Sequence, residues 1–306
     1  MTRYITLDLG TTKSKISLVE DGAVKGSLRI SSRLEWNEYR SKLGAAIAEL
    51  LEKAGLSEGD ITAILATGTM ASAEMGIYPL EHAVAPIGPD GIKATAVTVS
   101  IPEISGIPFF ITRGVKALDH ELRTKDMMRG EEAEIYGLGC DGEGIYMLMG
   151  SHTKIVTTDK NGKITDISTM LTGELASVII SETILRYSVS FEDSSVKKEE
   201  LMRGFEYARD NSLGEALFRV RVLRGNHGAD ASEAYSFFIG ALLSGEVGYV
   251  LKSKPQRVTV SGNKRLREAL SMLLREYTGD KIISISDEES EMAVSIGLLK
   301  IFEYAN

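Results

Sequence analysis

The stretch Tyr4-Ile5-Thr6-Leu7-Asp8-Leu9-Gly10-Thr11-Thr12-Lys13 runs from a β-like segment into a turn of glycine and hydroxyl residues, and Lys15-Ile16-Ser17-Leu18-Val19 then leads to Asp21-Gly22. The pattern returns near the middle of the chain. Ile145-Tyr146-Met147-Leu148-Met149-Gly150-Ser151-His152-Thr153-Lys154 is followed by Ile155-Val156-Thr157-Thr158 and then Asn161-Gly162. Twelve positions separate Gly10 from Gly22, and twelve separate Gly150 from Gly162. Asp-Gly and Asn-Gly between β-like runs are hairpin signals, because the central residues of the favoured turn need positive φ. Each half of the sequence thus opens with strand, turn, strand, turn, the signature of an internal repeat.

The length of 306 residues agrees with a repeat of domain size, since one domain takes roughly 100–200 residues. With 43% hydrophobic and 25% charged residues, the chain has enough apolar surface for folded cores, and neither disorder nor a fibrous repeat fits. A net charge of −8 repels a phosphate backbone, which excludes nucleic acid as the expected partner. One cysteine, Cys140, excludes an internal disulfide framework and a cysteine metal cluster, and fits a reducing compartment. The sequence begins directly with a strand-like run, without the tripartite pattern of an export signal, so a cytoplasmic location is expected. The most apolar stretch, residues 235–251, is interrupted by Ser236, Gly240, Ser244, Gly245, Glu246 and Gly248. It falls short of the roughly 20 apolar residues of a membrane span and is read as buried helix.

Helical spacing of Leu43, Ile47, Leu50, Leu51 and Ala54 before Gly55, and of Leu175, Val178, Ile179 and Ile184 after Thr172, places helices behind the two hairpins. Buried strands are expected over residues 61–66, before Thr67-Gly68, and over residues 257–260, before Ser261-Gly262-Asn263. Residues 191–230 read as a helical subdomain. Ser286-Asp287-Glu288-Glu289 is a capping-box sequence ahead of a terminal helix carrying Met292, Ile296, Leu299 and Phe302 on one face.

The hairpin turns carry the candidate chemistry. Asp8 stands at a strand end, Gly10 allows close backbone approach, and Thr11, Thr12 and Lys13 offer hydroxyls, amides and a cation to phosphate oxygens. Asp-x-Gly-Thr also occurs in plain strand corners. The second copy, Gly150, Ser151, His152, Thr153 and Lys154, repeats the hydroxyl and basic character, with Lys154 a counter-charge for a mobile phosphate. His152 reads equally as a packed imidazole. Met128-Arg129-Gly130-Glu131-Glu132 reads as a loop entering a helix, where the two acids either complement the helix dipole or supply a base. His82, His120 and His227 show no metal-ligand spacing.

Taken in order, Asp8-Leu9-Gly10-Thr11-Thr12, Gly68-Thr69-Met70-Ala71-Ser72, Met128-Arg129-Gly130-Glu131-Glu132, Gly150-Ser151-His152-Thr153-Lys154, Met170-Leu171-Thr172-Gly173-Glu174-Leu175 and residues 239–246 span nearly the whole chain. In them the sequence resembles the sugar-kinase, actin and heat-shock ATPase superfamily, and more closely the 2-dehydro-3-deoxygalactonokinase family. The resemblance implies an α/β, two-lobed actin-like ATPase (ribonuclease H-like) fold, with a duplicated hairpin-bearing domain and a cleft between the lobes. It implies a first lobe of residues 1–138, and a second of 139–306 whose terminal helix packs back on the first.

It also implies ATP, Mg²⁺ and phosphorylation of the terminal hydroxyl of a 2-keto-3-deoxy sugar acid, with a homodimer left open. Asp8 would hold the metal, and Gly262 and Asn263 would sit at the adenosine. Gly68, Met70, Ser72, Arg129, Thr172, Gly173 and Glu174 would lie against the sugar acid. The base in related sugar kinases starts the helix before the second hairpin, which points to Glu131, with Asp126 and Glu132 as alternatives. The family has Trp where this chain has Leu9, and Arg where it has Ala73-Glu74, which leaves the identity of the sugar acid open. The reading from another class is a non-catalytic ATP-dependent switch or sugar-sensing regulator on the same fold.

Overall fold

Two almost continuously buried strands build the first hairpin. In the computed structural model, which describes residues 2–72, 76–192 and 195–304, β1 (Arg3–Leu9) pairs antiparallel with β2 (Lys13–Glu20). Asp21 and Gly22 take φ of 47° and 79°, the positive values that the tight turn into β3 (Ala23–Ser31) requires. Helix α1 (Trp36–Ala54) lays Leu43, Ile47, Leu50 and Leu51 on this sheet and ends at Gly55, whose φ of 67° makes a left-handed cap. Strand β4 (Ala63–Gly68) starts later than the apolar run suggested and carries Thr67-Gly68 into the sheet, parallel to β1.

There follow β5 (Ala83–Val84), α2 (Pro89–Thr95), β6 (Val97–Ile101), β7 (Ser105–Ile111), β8 (Val115–Leu118), β9 (Thr124–Met128) and α3 (Glu131–Gly137). The main sheet has the order β3-β2-β1-β4-β7-β6, and β5-β8-β9 form a smaller one.

The second half repeats the frame with β10 (Gly144–Met149), β11 (Thr153–Thr158) and β12 (Ile164–Met170). Its turn differs from the expected two-residue Asn-Gly form. Residues 159–163 make a longer loop in which the Asp159 carboxylate accepts from the amides of Asn161 and Lys163, and of the Asn-Gly pair only Gly162 has positive φ. Helices α4 (Thr172–Glu182), α5 (Lys198–Asp210), α6 (Leu213–Asn226), α7 (Ala231–Leu242) and α8 (Ser244–Ser253) follow, then β13 (Val258–Gly262), α9 (Lys264–Thr278), β14 (Ile282–Ser284) and α10 (Asp287–Glu303). The sheet order β12-β11-β10-β13-β14 matches β3-β2-β1-β4-β7 of the first half.

Residues 235–251 form α7, buried as expected, and α8, which buries only the face of Glu246, Val247 and Val250, with a 45° bend between them. Small residues let α5 and α7 touch by backbone: a Cβ on Gly240 would lie 1.9 Å from Leu201 O, and one on Gly204 would lie 2.0 Å from Phe237 O. Among the described residues no single helix is long and apolar enough to cross a membrane.

The chain divides into two units, one of Met1–Glu143, Thr157–Ile167 and Glu288–Asn306, the other of Gly144–Val156 and Ser168–Asp287. Each has its own apolar core. Within the first unit α10 crosses α3 in backbone contact, since Cβ atoms on Gly137 and Gly297 would lie 1.8 Å from Ala293 O and 1.7 Å from Ala133 O.

Candidate active site

In the first unit, Asp8 lies at the C-terminal end of β1, in register with Thr67 on β4 and with Lys15 on β2. Strand pairing brings these side chains to one place. Gly68, at φ 76°, closes the strand end: a Cβ there would lie 2.4 Å from Leu9 O. Burial pushes the Asp8 carboxyl above its ordinary range; Lys15 and Arg29 pull it down, and Glu132 and Glu291 push it up. Lys15 is buried, and its Nζ meets Glu291 Oε1 of α10 at 2.8 Å. Beside Asp8 the turn continues through Gly10, where a Cβ would lie 2.7 Å from Lys13 O, to the exposed Thr11, Thr12 and Lys13.

Helix α3 begins over this strand end. Gly130 has φ 107°, and a Cβ on it would lie 3.8 Å from Asp8 Oδ1 and from Gly68 Cα. Glu131, the first helical residue, is half-buried and its Oε2 accepts the Arg129 amide at 2.9 Å. Glu132 is 0% exposed. Its Oε2 accepts the Gly130 amide at 2.7 Å, while its Oε1 accepts the hydroxyls of Thr67 at 2.8 Å and Thr112 at 3.0 Å. Burial raises its pKa against the pull of those bonds. Asp126 sits earlier, on β9, and accepts the Met127 amide at 2.7 Å. The Arg129 guanidinium donates to Arg113 O at 2.7 Å and Leu80 O at 2.8 Å, and lies 3.3 Å from His82 Nδ1.

In the second unit, Gly262 repeats the role of Gly68: its φ is 91°, and a Cβ would lie 2.2 Å from Met149 O. Asn263 caps α9, its Oδ1 accepting the Leu266 amide at 3.3 Å and its own amide donating to Met149 O at 2.6 Å. The turn Gly150-Ser151 docks on the start of α4. A Cβ on Gly173 would lie 2.1 Å from Gly150 O, and the Glu174 amide donates to Ser151 O at 2.8 Å. His152 Nε2 lies 2.7 Å from Glu174 Oε2, and Lys154 Nζ donates to Thr169 Oγ1 at 2.7 Å. A cavity of about 290 Å³ opens between these pieces, with Phe191, Tyr235 and Arg265 as further walls.

Three expected contacts change. Met70 was placed against substrate, but its side chain is 0% exposed and belongs to the first unit's core. Thr172 was given the same role, yet its hydroxyl is buried and donates to Glu246 Oε1. Thr153 was expected at phosphate, yet its side chain is fully buried at the start of β11. Ser72 is half-buried and its amide donates to Thr69 O; Ala73 and Glu74, beside it, lie outside the described residues. Phe191, Tyr235, Arg265, Thr67, Thr112 and Glu246 were not foreseen in a site. For Glu246 a signal existed, namely one acid inside an otherwise apolar stretch.

Among the described residues no group of three or more His, Cys, Asp or Glu is placed to hold a metal by itself. Mg²⁺ asks for less, because it is usually held by one or two carboxylates together with waters and substrate phosphates. The half-buried Asp8, a hard oxygen ligand at the strand end that leads into the exposed Thr11 and Thr12, fits that requirement.

The repeated sheet order and the two glycine-closed strand ends define an actin-like ATPase fold of the sugar-kinase class. The crystal structure of a 2-dehydro-3-deoxygalactonokinase-type protein from Sinorhizobium meliloti superposes with a TM-score of 0.79 at 22% identity, covering 97% of each chain. The activator of 2-hydroxyisocaproyl-CoA dehydratase from Clostridium difficile, with bound ADPNP, shares the fold at TM-score 0.55 and 14% identity, covering 99% of this chain and 95% of its own. A family model described as 2-keto-3-deoxy-galactonokinase matches residues 8–301, and the chain belongs to that family. A curated relative from Rhizobium meliloti (strain 1021), named Probable 2-dehydro-3-deoxygalactonokinase DgoK1, is 26% identical over 264 residues, covering 81% of this chain and 80% of its own. The chain is accordingly a sugar kinase, a phosphotransferase with an alcohol group as acceptor, and the reading as a non-catalytic switch falls away.

Proposed function

We propose that this kinase uses ATP and Mg²⁺ to phosphorylate the terminal 6-hydroxyl of a 2-keto-3-deoxy sugar acid, 2-dehydro-3-deoxy-D-galactonate being the acceptor that its family's description suggests. The observation that carries the reading is the seating of Gly130 over Asp8, which puts the start of α3, with Glu131, at the same strand end as the metal-type carboxylate. In the transfer, the sugar O6–Pγ bond forms as the bond from Pγ to the ADP oxygen breaks, and the hydroxyl proton passes to Glu131. Asp8 would hold Mg²⁺, which when bound would supply charge neutralisation to the transferring phosphoryl group.

Glu132 holds the turn rather than the proton, since both its oxygens are taken up by Thr67, Thr112 and Gly130. Arg129, tied to main-chain carbonyls, orders the 80–82 segment and lends positive potential to an anionic acceptor. In the second unit, the Gly150–Lys154 turn is the phosphate element and the cavity beside Asn263 takes the nucleoside. The test is to incubate the pure protein with ATP, Mg²⁺ and a panel of sugar acids, following phosphorylated product by ³¹P NMR. Product from 2-keto-3-deoxy acids alone is expected. ATP hydrolysis that is indifferent to every acid sinks the reading.

A further inference from the structure

Glu246 is the buried charge that the proposed mechanism leaves unused. It stands in the first turn of α8, 0% exposed, inside the most apolar part of the chain. Burying a carboxylate costs several kcal/mol unless its oxygens are well bonded, and an apolar residue of like volume serves packing as well or better. Its partners are specific. Oε1 accepts the Thr172 hydroxyl at the start of α4. Oε2 has no hydrogen-bond partner, and neither has the hydroxyl of Thr153, which is itself 0% exposed and close enough to act on the carboxylate.

Those two threonines bracket the seam where the turn meets α4. Thr153 follows Gly150-Ser151-His152 directly, and Thr172 precedes Gly173, whose missing Cβ lets the backbone rest on Gly150 O. Glu174 N closes the seam on Ser151 O. From beneath, the carboxylate therefore bonds Thr172 on the α4 side of the seam and lies close to Thr153 on the turn side.

We infer that Glu246 is a positioning residue that sets the spacing between the Gly150–His152 turn and the N-terminus of α4, and through it the affinity for nucleotide phosphate. The inference rests on the reading of that turn as the phosphate element. It asks only for hydrogen-bonding oxygens or their equivalent. Glu246→Gln can accept from Thr172 and donate to Thr153, whereas Glu246→Leu keeps the volume and strands both hydroxyls.

Two measurements on the full chain test it: amide hydrogen exchange without nucleotide, and binding of MgADP by calorimetry together with kcat and the KM for ATP. In Glu246→Leu, exchange should quicken at residues 150–153 and 172–175 but not in the first unit. Its Kd for MgADP and KM for ATP should rise about tenfold, with kcat within about threefold of wild type. Glu246→Gln should stay within about threefold throughout, and Thr172→Val, a milder isostere, should follow Glu246→Leu should that variant fail to fold. A merely structural role would lower melting temperature in both Glu246 variants and leave KM unmoved, which overturns the inference. So would unchanged exchange at the seam. Wild-type protein that binds no MgADP would instead refute the nucleotide reading, and hydrogen exchange alone would then decide the positioning role.

Discussion

The two units carry the same frame and load it differently. In the first, buried Glu132 gathers the hydroxyls of Thr67 and Thr112 beneath a strand end closed by Gly68 on Leu9 O. In the second, buried Glu246 takes the hydroxyl of Thr172 beneath a strand end closed by Gly262 on Met149 O. The register sharpens the contrast: Asp8 faces Thr67 across β1 and β4, and Leu148 faces Ser261 across β10 and β13. At that position the first strand end carries a carboxylate, on which the proposed metal role rests, and the second an apolar side chain. The frame brings a turn to a strand end, and the chemistry is set by what stands there.

The largest effect should come from erasing that one difference. Asp8→Asn makes the first strand end neutral like the second, and metal-ion catalysis supplies several kcal/mol, so turnover should fall by about 10³-fold or more at saturating Mg²⁺. Because burial already disfavours the Asp8 charge, the variant should melt no lower than wild type. Wild-type turnover in Asp8→Asn at limiting Mg²⁺ would break the contrast between the units.

Next in size is the proposed base. Glu131→Gln keeps shape and removes the proton acceptor, and a general base contributes typically 10²–10⁴-fold, so kcat should fall by at least ~10² with KM for either substrate little changed. A glutamate that only complements the helix dipole would show instead a small loss of stability with full turnover. An active Glu131→Gln beside a dead Asp126→Asn would move the role to β9.

The frame itself was legible in the sequence because a hairpin is local. Asp21-Gly22 states its turn in two residues, and the twelve-residue echo exposes the duplication. Glycine at 68 and 262 was readable as a sharp turn, but not as a contact, since its reason is a carbonyl about 60 or about 110 residues away on a parallel neighbour. The same limit explains the misplaced side chains. Thr153 carries the right group for phosphate and Thr172 for a sugar acid, and only the distant Glu246 reveals that the hydroxyl of Thr172 turns inward. Met70 lies in a motif segment, yet its side chain serves the core while the backbone makes the turn.

The glycine closures should respond alike, whatever chemistry each unit bears. Gly68→Ala and Gly262→Ala each force a Cβ against a backbone carbonyl at a φ that L residues rarely adopt, so each should cost roughly 1–3 kcal/mol of stability. Urea unfolding would measure it. A neutral outcome in one and a loss in the other would show that the repeat is one of strand order only.

The smallest effect concerns Glu246 and pH. Burial raises its pKa above the ordinary glutamate value, with the threonine hydroxyls pulling the other way. In the range between the ordinary value and the raised one, the folded chain holds this proton more firmly than the unfolded chain does. Stability from this site therefore falls as pH rises through that range, then levels once the folded carboxyl has ionised. Its contribution is greatest below about pH 4.3, where the group is protonated in both states. Glu246→Gln cannot titrate, so the stability of wild type minus that of the variant should decline from acid to neutral pH, by no more than about 1.4 kcal/mol per pH unit. Urea midpoints at closely spaced pH values from acid to neutral would trace it. A difference that stays flat, or grows with pH, would mean that the carboxylate is better solvated at its orphaned Oε2 than the burial of α8 allows.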